Sequence, residues 1–429
     1  MLIRATHRLS SRFSKFSRRF KSSLVASDDG EFEVGNEGIT NIYAPKEEHQ
    51  ALREMVRAFV REEVEPQALD HDRSETFNRE LFNKMGELGL LGVTVKSEYG
   101  GSDMDATAAC VIHEELSASD PAACLSYLAH SMLFVNNLHQ NGSEEQKHKY
   151  LPDACTGAKI GGMCMSEPGV GTDVLGLSTK ATKDGDDFIL NGAKMWITNG
   201  AVNDHETGDV FLVYARTGEA RTDISLFLVE KEMEGFSLGQ RIKDKCGMRA
   251  SPTAELVFED VRVPSKNLVG ELNGATICMM RNLEIERVVL AAMSCGIARR
   301  CIEAMNTYTQ DRKSFGKSLN SFGQIQKGIA ESYAEYMAGR SYVYNFAANM
   351  DLDKVGTRLD SDGVKLFCAP MATRVASRAI QSMGGYGYVG EYVVERLWRD
   401  ARLIEIGGGT NEAHHKNITG DLKGLTELP

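Results

Sequence analysis

Several patterns are missing from this 429-residue chain, and each absence removes a class of function. No CxxC pair occurs among its nine cysteines, which are scattered and odd in number. That spacing excludes a disulfide framework and points to reduced thiols in an intracellular compartment. The ten histidines form neither HxxxH nor HExxH, so no metal site is expected. No apolar run is long enough to cross a bilayer, so no membrane span is expected. A formal net charge of −11 without a basic stripe argues against nucleic-acid binding. There is no strand–GxGxxG–helix fingerprint, internal repeat or low-complexity run, so a Rossmann domain and a solenoid are not indicated. What remains is a chain with 42% hydrophobic and 25% charged residues, long enough for two or three globular domains.

The first acidic residue is Asp28; before it stand five arginines, two lysines and many serines. An Arg- and Ser-rich, acid-poor start has the composition of a mitochondrial presequence, read here as residues 1–27; the alternative is a disordered basic tail. Without those seven cations the remaining body carries a charge near −18. Residues 28–44 are acidic and aperiodic and read as a flexible segment. From Pro45 the apolar period is helical: Leu52, Met55, Val56, Phe59, Val60 and Val64 share one face. Further helices are expected over NRELFNKMGELG, on either side of Asp120-Pro121, and from Ser143 to Pro152, the last with a capping box. After residue 158 the period shortens, with Asp/Gly/Asn turns between short apolar runs, which predicts a compact antiparallel β-barrel or sandwich over 159–274. Helical periodicity returns over 276–309, 321–349, 359–383 and 391–404, as expected for a bundle. The predicted class is therefore α+β multidomain: helical 45–158, β 159–274, helical bundle 275–429.

Within the last region, Thr276–Ile297 carries an unusual stripe. Met279, Leu283, Glu286, Leu290, Met293 and Ile297 fall on one face, five apolar and one carboxylate. A buried carboxylate is driven to a raised pKa, and such a group is a usable general base near neutral pH. The plainer reading places Glu286 at the stripe's edge, solvated or paired with Arg287. Elsewhere, CMSEPGVGTD (164–173) is a Gly-bearing loop that lets backbone approach a ring or an anion closely; a domain linker would look similar. KMWITNG (194–200) places Trp196 and Thr198 on one strand face, suited to a flat heterocycle, although a Trp is more often plain core. DRKSFGK (311–317) offers Arg312 and Lys313 for a pyrophosphate, or forms only a solvated basic turn. QSMGGYGYV and RDARLIEIGGGTNE place glycines where a helix would disfavour them, which suggests close approach to something else.

Taken in order, SEPGVGTD, WITNG, GMRAS with FEDVRVP, DRKSFGK, QSMGGYGY and RDARLIEIGGGTNE resemble the acyl-CoA dehydrogenases, from about Pro45 to the C-terminus. The resemblance implies an FAD-dependent enzyme, usually a homotetramer, with an N-terminal helical domain, a central β-barrel and a C-terminal four-helix bundle. Most members carry the catalytic Glu two residues before the Thr of a YEGT motif. Here the motif is IGGGT, so Gly407 and Gly408 stand where the aromatic and the Glu usually stand. A minority, chiefly the isovaleryl and long-chain enzymes, carry the base on a bundle helix in a segment like LER. Ile285-Glu286-Arg287 matches it, and Glu286 becomes the expected base.

The resemblance further implies that Met163, Cys164, Met165, Ser166, Gly171, Thr172, Trp196, Ile197 and Thr198 border the isoalloxazine. Arg312, Gln324 and the run Gln381, Ser382, Met383, Gly384 and Gly385 would take the pyrophosphate and adenine portion across a subunit interface, completed by Thr410 and Glu412. The usual flavin-contacting Gln aligns with Gly323, and Gln324 is its one-residue-shifted replacement. The acyl-CoA would lie among Leu125, Thr172, Ile277, Glu284, Arg287, Gly407, Gly408 and Gly409. Gly407 leaves room for a short branched chain such as isovaleryl, whereas Leu128 and Met132 depart from the isovaleryl pattern. Implied too are a mitochondrial matrix location and electron delivery to electron-transfer flavoprotein. An oxidase of the same fold, or a flavin-binding subunit without catalysis, are the rival readings.

Overall fold

The computed structural model describes residues 41–427 except 355 and 357. The expected presequence (1–27) and most of the expected flexible segment (28–44) lie outside the described residues.

The N-terminal helices form where their caps and stripes dictate. Helix α1 (Glu47–Phe59) buries Leu52, Val56 and Phe59, and a π-helical turn (Val60–Val64) carries the stripe on to Val60 and Val64. The π-helical turn runs straight on into α2 (Glu65–Ser74), whose first turn holds Pro66. Asn78 caps α3 (Arg79–Glu87) by accepting from Leu81 N. Every residue of α4 (Ala106–Ser117) is buried, as expected of a helix apolar nearly all round. Asp120 caps α5 (Pro121–Leu128), which runs through a π-helical stretch (Ala129–Asn136) into α6 (Asn137–Asn141). Helix α7 (Glu144–Thr156) has the expected capping box between Ser143 and Gln146. It does not end at Pro152, however. The chain keeps its helical course for another turn, burying Ala154 and Cys155, and stops at Gly157 with φ +79°. Burial there offsets the one backbone bond that proline removes.

The middle region is a mixed sheet, and it does not close. Strands β1 (Gly161–Cys164), β2 (Lys180–Asp184), β3 (Asp187–Thr198), β4 (Val210–Arg216), β5 (Ile224–Glu230), β6 (Phe236–Arg241), β7 (Thr253–Val263) and β8 (Leu268–Val269) lie in the order β6-β7-β3-β2-β4-β5-β8. β1 joins β4 in parallel, and β2 meets β4 in parallel through a single pair, Lys180 with Arg216. The expected antiparallel barrel is thus corrected on two counts: two pairings are parallel, and β6 and β8 remain edges. Strand β3 shifts register against β7 between Lys194 and Ile197. Past this bulge Trp196 is exposed, Ile197 buried and Thr198 half-buried, the alternation expected of Trp196 and Thr198.

The C-terminal region contains α8 (Ala275–Asp311), a short hairpin β9 (Lys313–Ser314) and β10 (Lys317–Ser318), then α9 (Gly323–Asn349), α10 (Arg358–Met383), α11 (Val393–Ile404) and α12 (Asn411–Leu422). Among the described residues the region holds five helices, one more than the four that periodicity predicts. The fifth, α12, buries only His414, so no apolar stripe marks it in the sequence. Its signal is a cap, Thr410 Oγ1 accepting from Ala413 N at 3.2 Å.

Helix α8 is fixed against the N-terminal helices by one shared core, in which Val111 and Leu116 meet Val288, Val289 and Ala292. Close approach is permitted by Gly296, where a Cβ would come 2.2 Å from Glu114 O. Two buried acids of α4 anchor the contact: Glu114 pairs with Arg53 and Arg340, and Glu115 with Arg299 at 2.7 Å. These pins set the rotation of α8 and therefore the direction in which Glu286 points. No helix among the described residues is long and apolar enough to cross a membrane. All nine cysteines are free thiols, and Cys246 alone is exposed.

Candidate active site

Helix α8 changes character along its length. Near its start Ile277 and Met280 are exposed, whereas almost every residue from Glu284 to Ala298 is buried. Glu286 lies in the buried half at 8% exposure. Burial pushes its carboxyl up to about 7, and the fields of Arg287 and Lys365 oppose that shift only in part. It is therefore a proton acceptor of near-neutral strength, where a solvated carboxylate at the helix edge would not be.

The carboxylate faces the IGGGT turn between α11 and α12. A Cβ built on Gly408 would lie 3.5 Å from Glu286 Oε1 and 2.3 Å from Leu290 Cδ1. A side chain at 408 and the carboxylate of Glu286 thus converge on one place, and Leu290 leaves no room for the former. Gly408 and Gly409 have φ of +65° and +96°, a region that side chains disfavour. Among the described residues their amides donate no hydrogen bond, whereas Gly407 N donates to Leu403 O at 2.8 Å. Two free amides beside a buried base form a donor set for a developing oxyanion.

The nearest rival acid is occupied. Glu284, 3% exposed, accepts from Gly356 N at 2.8 Å; burial raises its pKa and that bond opposes the rise. Glu405 accepts from Thr373 and Asn411 and so props the turn from below.

Around the turn lies a buried polar group that sequence reasoning missed. Lys365 Nζ donates to Gly409 O at 2.6 Å, and His414 Nε2 meets the same oxygen at 3.0 Å. His414 Nδ1 bonds Asp362 Oδ1 at 2.5 Å, and Asp362 Oδ1 is 3.2 Å from Arg287 Nε. A wheel of 358–383 puts Lys365 on the buried side with Ser361, Ala369, Ala372 and Ala376, which was the available signal.

A second assembly holds the 164–173 loop. Lys194 and Glu167, both buried, pair at 2.9 Å, and Lys194 also reaches Met165 O at 3.2 Å. Glu167 takes further bonds from Ser178 and Thr179; against burial, Lys194 and these donors hold it down to about 2. The pin leaves the far end of the loop open: Gly171 and Thr172 are exposed, and a Cβ on Gly169 or Gly171 would meet nothing. Trp196, at the β3 bulge with φ +67°, is 61% exposed. It is not a core tryptophan, and a large flat face beside a glycine loop fits a planar ring system.

The remaining expected residues divide by where they point. Ser166 and Thr198 are half-buried, whereas Cys164, Met165 and Ile197 are buried in the sheet's cores and Met163 lies partly against them. Arg312 caps the end of α8, is exposed, and makes no ion pair among the described residues, though its guanidinium lies 5.9 Å from the Tyr386 ring. Gln324, Gln381, Gly384, Gly385 and Glu412 are exposed and Thr410 is half-buried; Ser382 and Met383 turn into the bundle. A Cβ on Gly384 or Gly385 would meet nothing. Of the acyl candidates, Leu125 and Gly407 are half-buried, Arg287 is buried, and Ile277 is 60% exposed a few turns before Glu286. Leu128 and Met132 lie wholly inside the core. An exposed aromatic beside a glycine loop suits a flat ring, and an exposed arginine without an ion pair among the described residues suits a phosphate.

Comparison with known proteins places this architecture. Profiles of the acyl-CoA dehydrogenase N-terminal, middle and C-terminal domains match residues 46–158, 162–261 and 273–422. Isovaleryl-CoA dehydrogenase, mitochondrial, from Pongo abelii is 42% identical over 372 residues, 85% of this chain and 86% of that protein. Butyryl-CoA dehydrogenase from Megasphaera elsdenii superposes with a TM-score of 0.84 at 32% identity, over 90% of this chain and 99% of that one. A glutaryl-CoA dehydrogenase from Mycobacterium smegmatis in complex with FADH2 does so with a TM-score of 0.83 at 29% identity, over 90% and 96%. With matches that run through all three regions in order, the chain belongs to the acyl-CoA dehydrogenase family, oxidoreductases that act on acyl-CoA.

Proposed function

We propose that the chain is an FAD-dependent dehydrogenase of the mitochondrial matrix that converts isovaleryl-CoA to 3-methylcrotonyl-CoA, with Glu286 as the base. One observation carries the reading: the carboxylate on α8 is buried and occupies the space to which a side chain at 408 would point. The α-hydrogen of a thioester is very weakly acidic, so a base needs help from donors fixed in advance. The free amides of Gly408 and Gly409 supply it by donating to the thioester oxygen as charge develops there. Glu286 takes the α-proton onto its carboxylate, and burial keeps competing water away. FAD, when bound, would supply the acceptor for the β-hydrogen as hydride, and electron-transfer flavoprotein would take the electrons on.

Trp196, Ser166, Gly171 and Thr172 would border the ring system, and Arg312 with Gln381, Gly384 and Gly385 the phosphate and adenine portion. Burial of Cys164, Met165, Ile197, Ser382 and Met383 restricts those residues to backbone or shaping roles. The exposure of Phe315 at 91% and Tyr388 at 82% supports assembly of several copies, as a homotetramer. Gly407, without a Cβ and with only Leu403 nearby, leaves width for a branched C4 chain beside Leu125. The likeness to a butyryl enzyme favours a straight short chain as the second reading.

Anaerobic flavin reduction by isovaleryl-, isobutyryl-, 2-methylbutyryl- and straight-chain acyl-CoAs tests the substrate. The fastest reduction is expected with isovaleryl-CoA; preference for butyryl-CoA by tenfold or more would replace the branched reading.

A further inference from the structure

Three consecutive glycines are a poor way to hold a catalytic turn, because each gives up more backbone freedom on folding than any other residue. No side chain of 407–409 can fix it. Gly407 N bonds Leu403 O of α11 and Asn411 bonds Glu405, which Thr373 also holds; within the three glycines, among the described residues, side chains reach one atom, the Gly409 carbonyl oxygen. That oxygen receives two side chains from different helices, Lys365 of α10 and His414 of α12.

Lys365 is fully buried, and among the described residues it makes no ion pair and bonds no other acceptor. A buried ammonium with a single neutral acceptor is costly, and a lysine kept only for packing would carry its charge out to solvent. His414 must donate from Nε2, since a carbonyl only accepts. Its Nδ1 lies 2.5 Å from Asp362 Oδ1, which in turn is 3.2 Å from Nε of Arg287, the residue beside Glu286 on α8. Turn, clamp and base are thus one connected assembly.

We propose that Lys365 and His414 are positioning residues, which through the shared Gly409 carbonyl clamp the glycine turn over Glu286 and keep its two free amides and the Lys365 charge beside the carboxylate. The inference rests on the reading of Glu286 as base. The charged and titratable groups around that carboxylate are Arg287 and Glu284 of α8, Asp362 and Lys365 of α10, Glu405 after α11, His414 of α12 and the Tyr214 phenol of β4. Lys365 opposes the rise that burial imposes on Glu286, so its removal moves the acid limb of the reaction to higher pH. Burial brings Lys365 itself down to about 8, so the native enzyme also slows above that pH as the ammonium is lost, and a variant without it does not.

Two readouts on the flavin-loaded enzyme test this: amide hydrogen exchange of the peptide spanning 404–412, and the pH profile of anaerobic flavin reduction. Lys365→Met is expected to exchange at least tenfold faster in the turn with α8 unchanged. Its flavin reduction should be at least tenfold slower, with the acid limb raised and the basic limb gone. Superimposable exchange and pH profiles for Lys365→Met and the native enzyme would overturn the proposal. Should Lys365→Met fail to fold, His414→Gln and His414→Leu decide. Gln keeps a donor near Nε2 and should restore turn protection and rate relative to Leu, and equal behaviour of the two refutes the clamp. Exchange involves no substrate, so a clamp upheld there while Glu286→Gln still reduces flavin would sink the base assignment alone.

Discussion

Replacing Glu286 by Gln should make the protein more stable while disabling it. Burial raises the carboxyl from 4.5 to about 7, so between those values the folded state binds a proton that the unfolded chain does not. Stability then falls as pH rises through that window, with none of the cost below 4.5 and all of it above about 7. At about 1.4 kcal/mol per pH unit the cost is about 3 kcal/mol, and at 8% exposure solvent screens little of it. Gln has the same shape without the charge. Urea unfolding of both proteins, at fixed flavin and protein concentration, should give equal stability near pH 4.5 and an advantage of about 3 kcal/mol for Glu286→Gln at pH 8. Parallel curves across that range would show that the carboxylate is effectively solvated, and the argument from burial would fail.

Two further substitutions probe the surroundings. Gly408→Ala places a Cβ against Leu290 at a φ of +65°. It should cost about 2–4 kcal/mol by urea unfolding and slow flavin reduction, whereas Gly407→Ala, which meets only Leu403 at ordinary contact distance, should leave stability nearly unchanged. Trp196→Ala removes an exposed ring, so unfolding of the flavin-free protein should shift by less than about 0.5 kcal/mol; fluorescence titration should show FAD binding weakened at least tenfold.

Much of this was legible from residue types and spacing, for identifiable reasons. The stripe through Glu286 survives because α8 is long and regular, so a 3.6-residue period predicts its burial directly. Asp120, Ser143 and Asn78 announce their helices because a cap is a local contact between a side chain and an amide three residues on. What escaped depends on contacts distant in the chain. Pro152 sits inside α7 because tertiary burial outweighs one lost bond. Trp196 takes a φ of +67° because β3 bulges against β7, a partner distant in sequence. The sheet stays open because its end strands β6 and β8 do not pair with each other, which no local pattern encodes. Helix α12 has no apolar stripe to announce it, and Lys365 and His414 are polar residues buried by their neighbours, whereas polarity in sequence reads as surface. Glu286 was found as a carboxylate among apolar neighbours; Lys365, an equally anomalous charge on the buried side of α10, was not.

The most direct measurement is anaerobic mixing of flavin-loaded Glu286→Gln with isovaleryl-CoA, followed by the loss of flavin absorbance. The account predicts that FAD stays bound and that bleaching is slower than in the native enzyme by ~10²-fold or more, on the scale of a lost general base. Bleaching at the native rate would show that another group removes the proton, and the assignment built on α8 would be wrong.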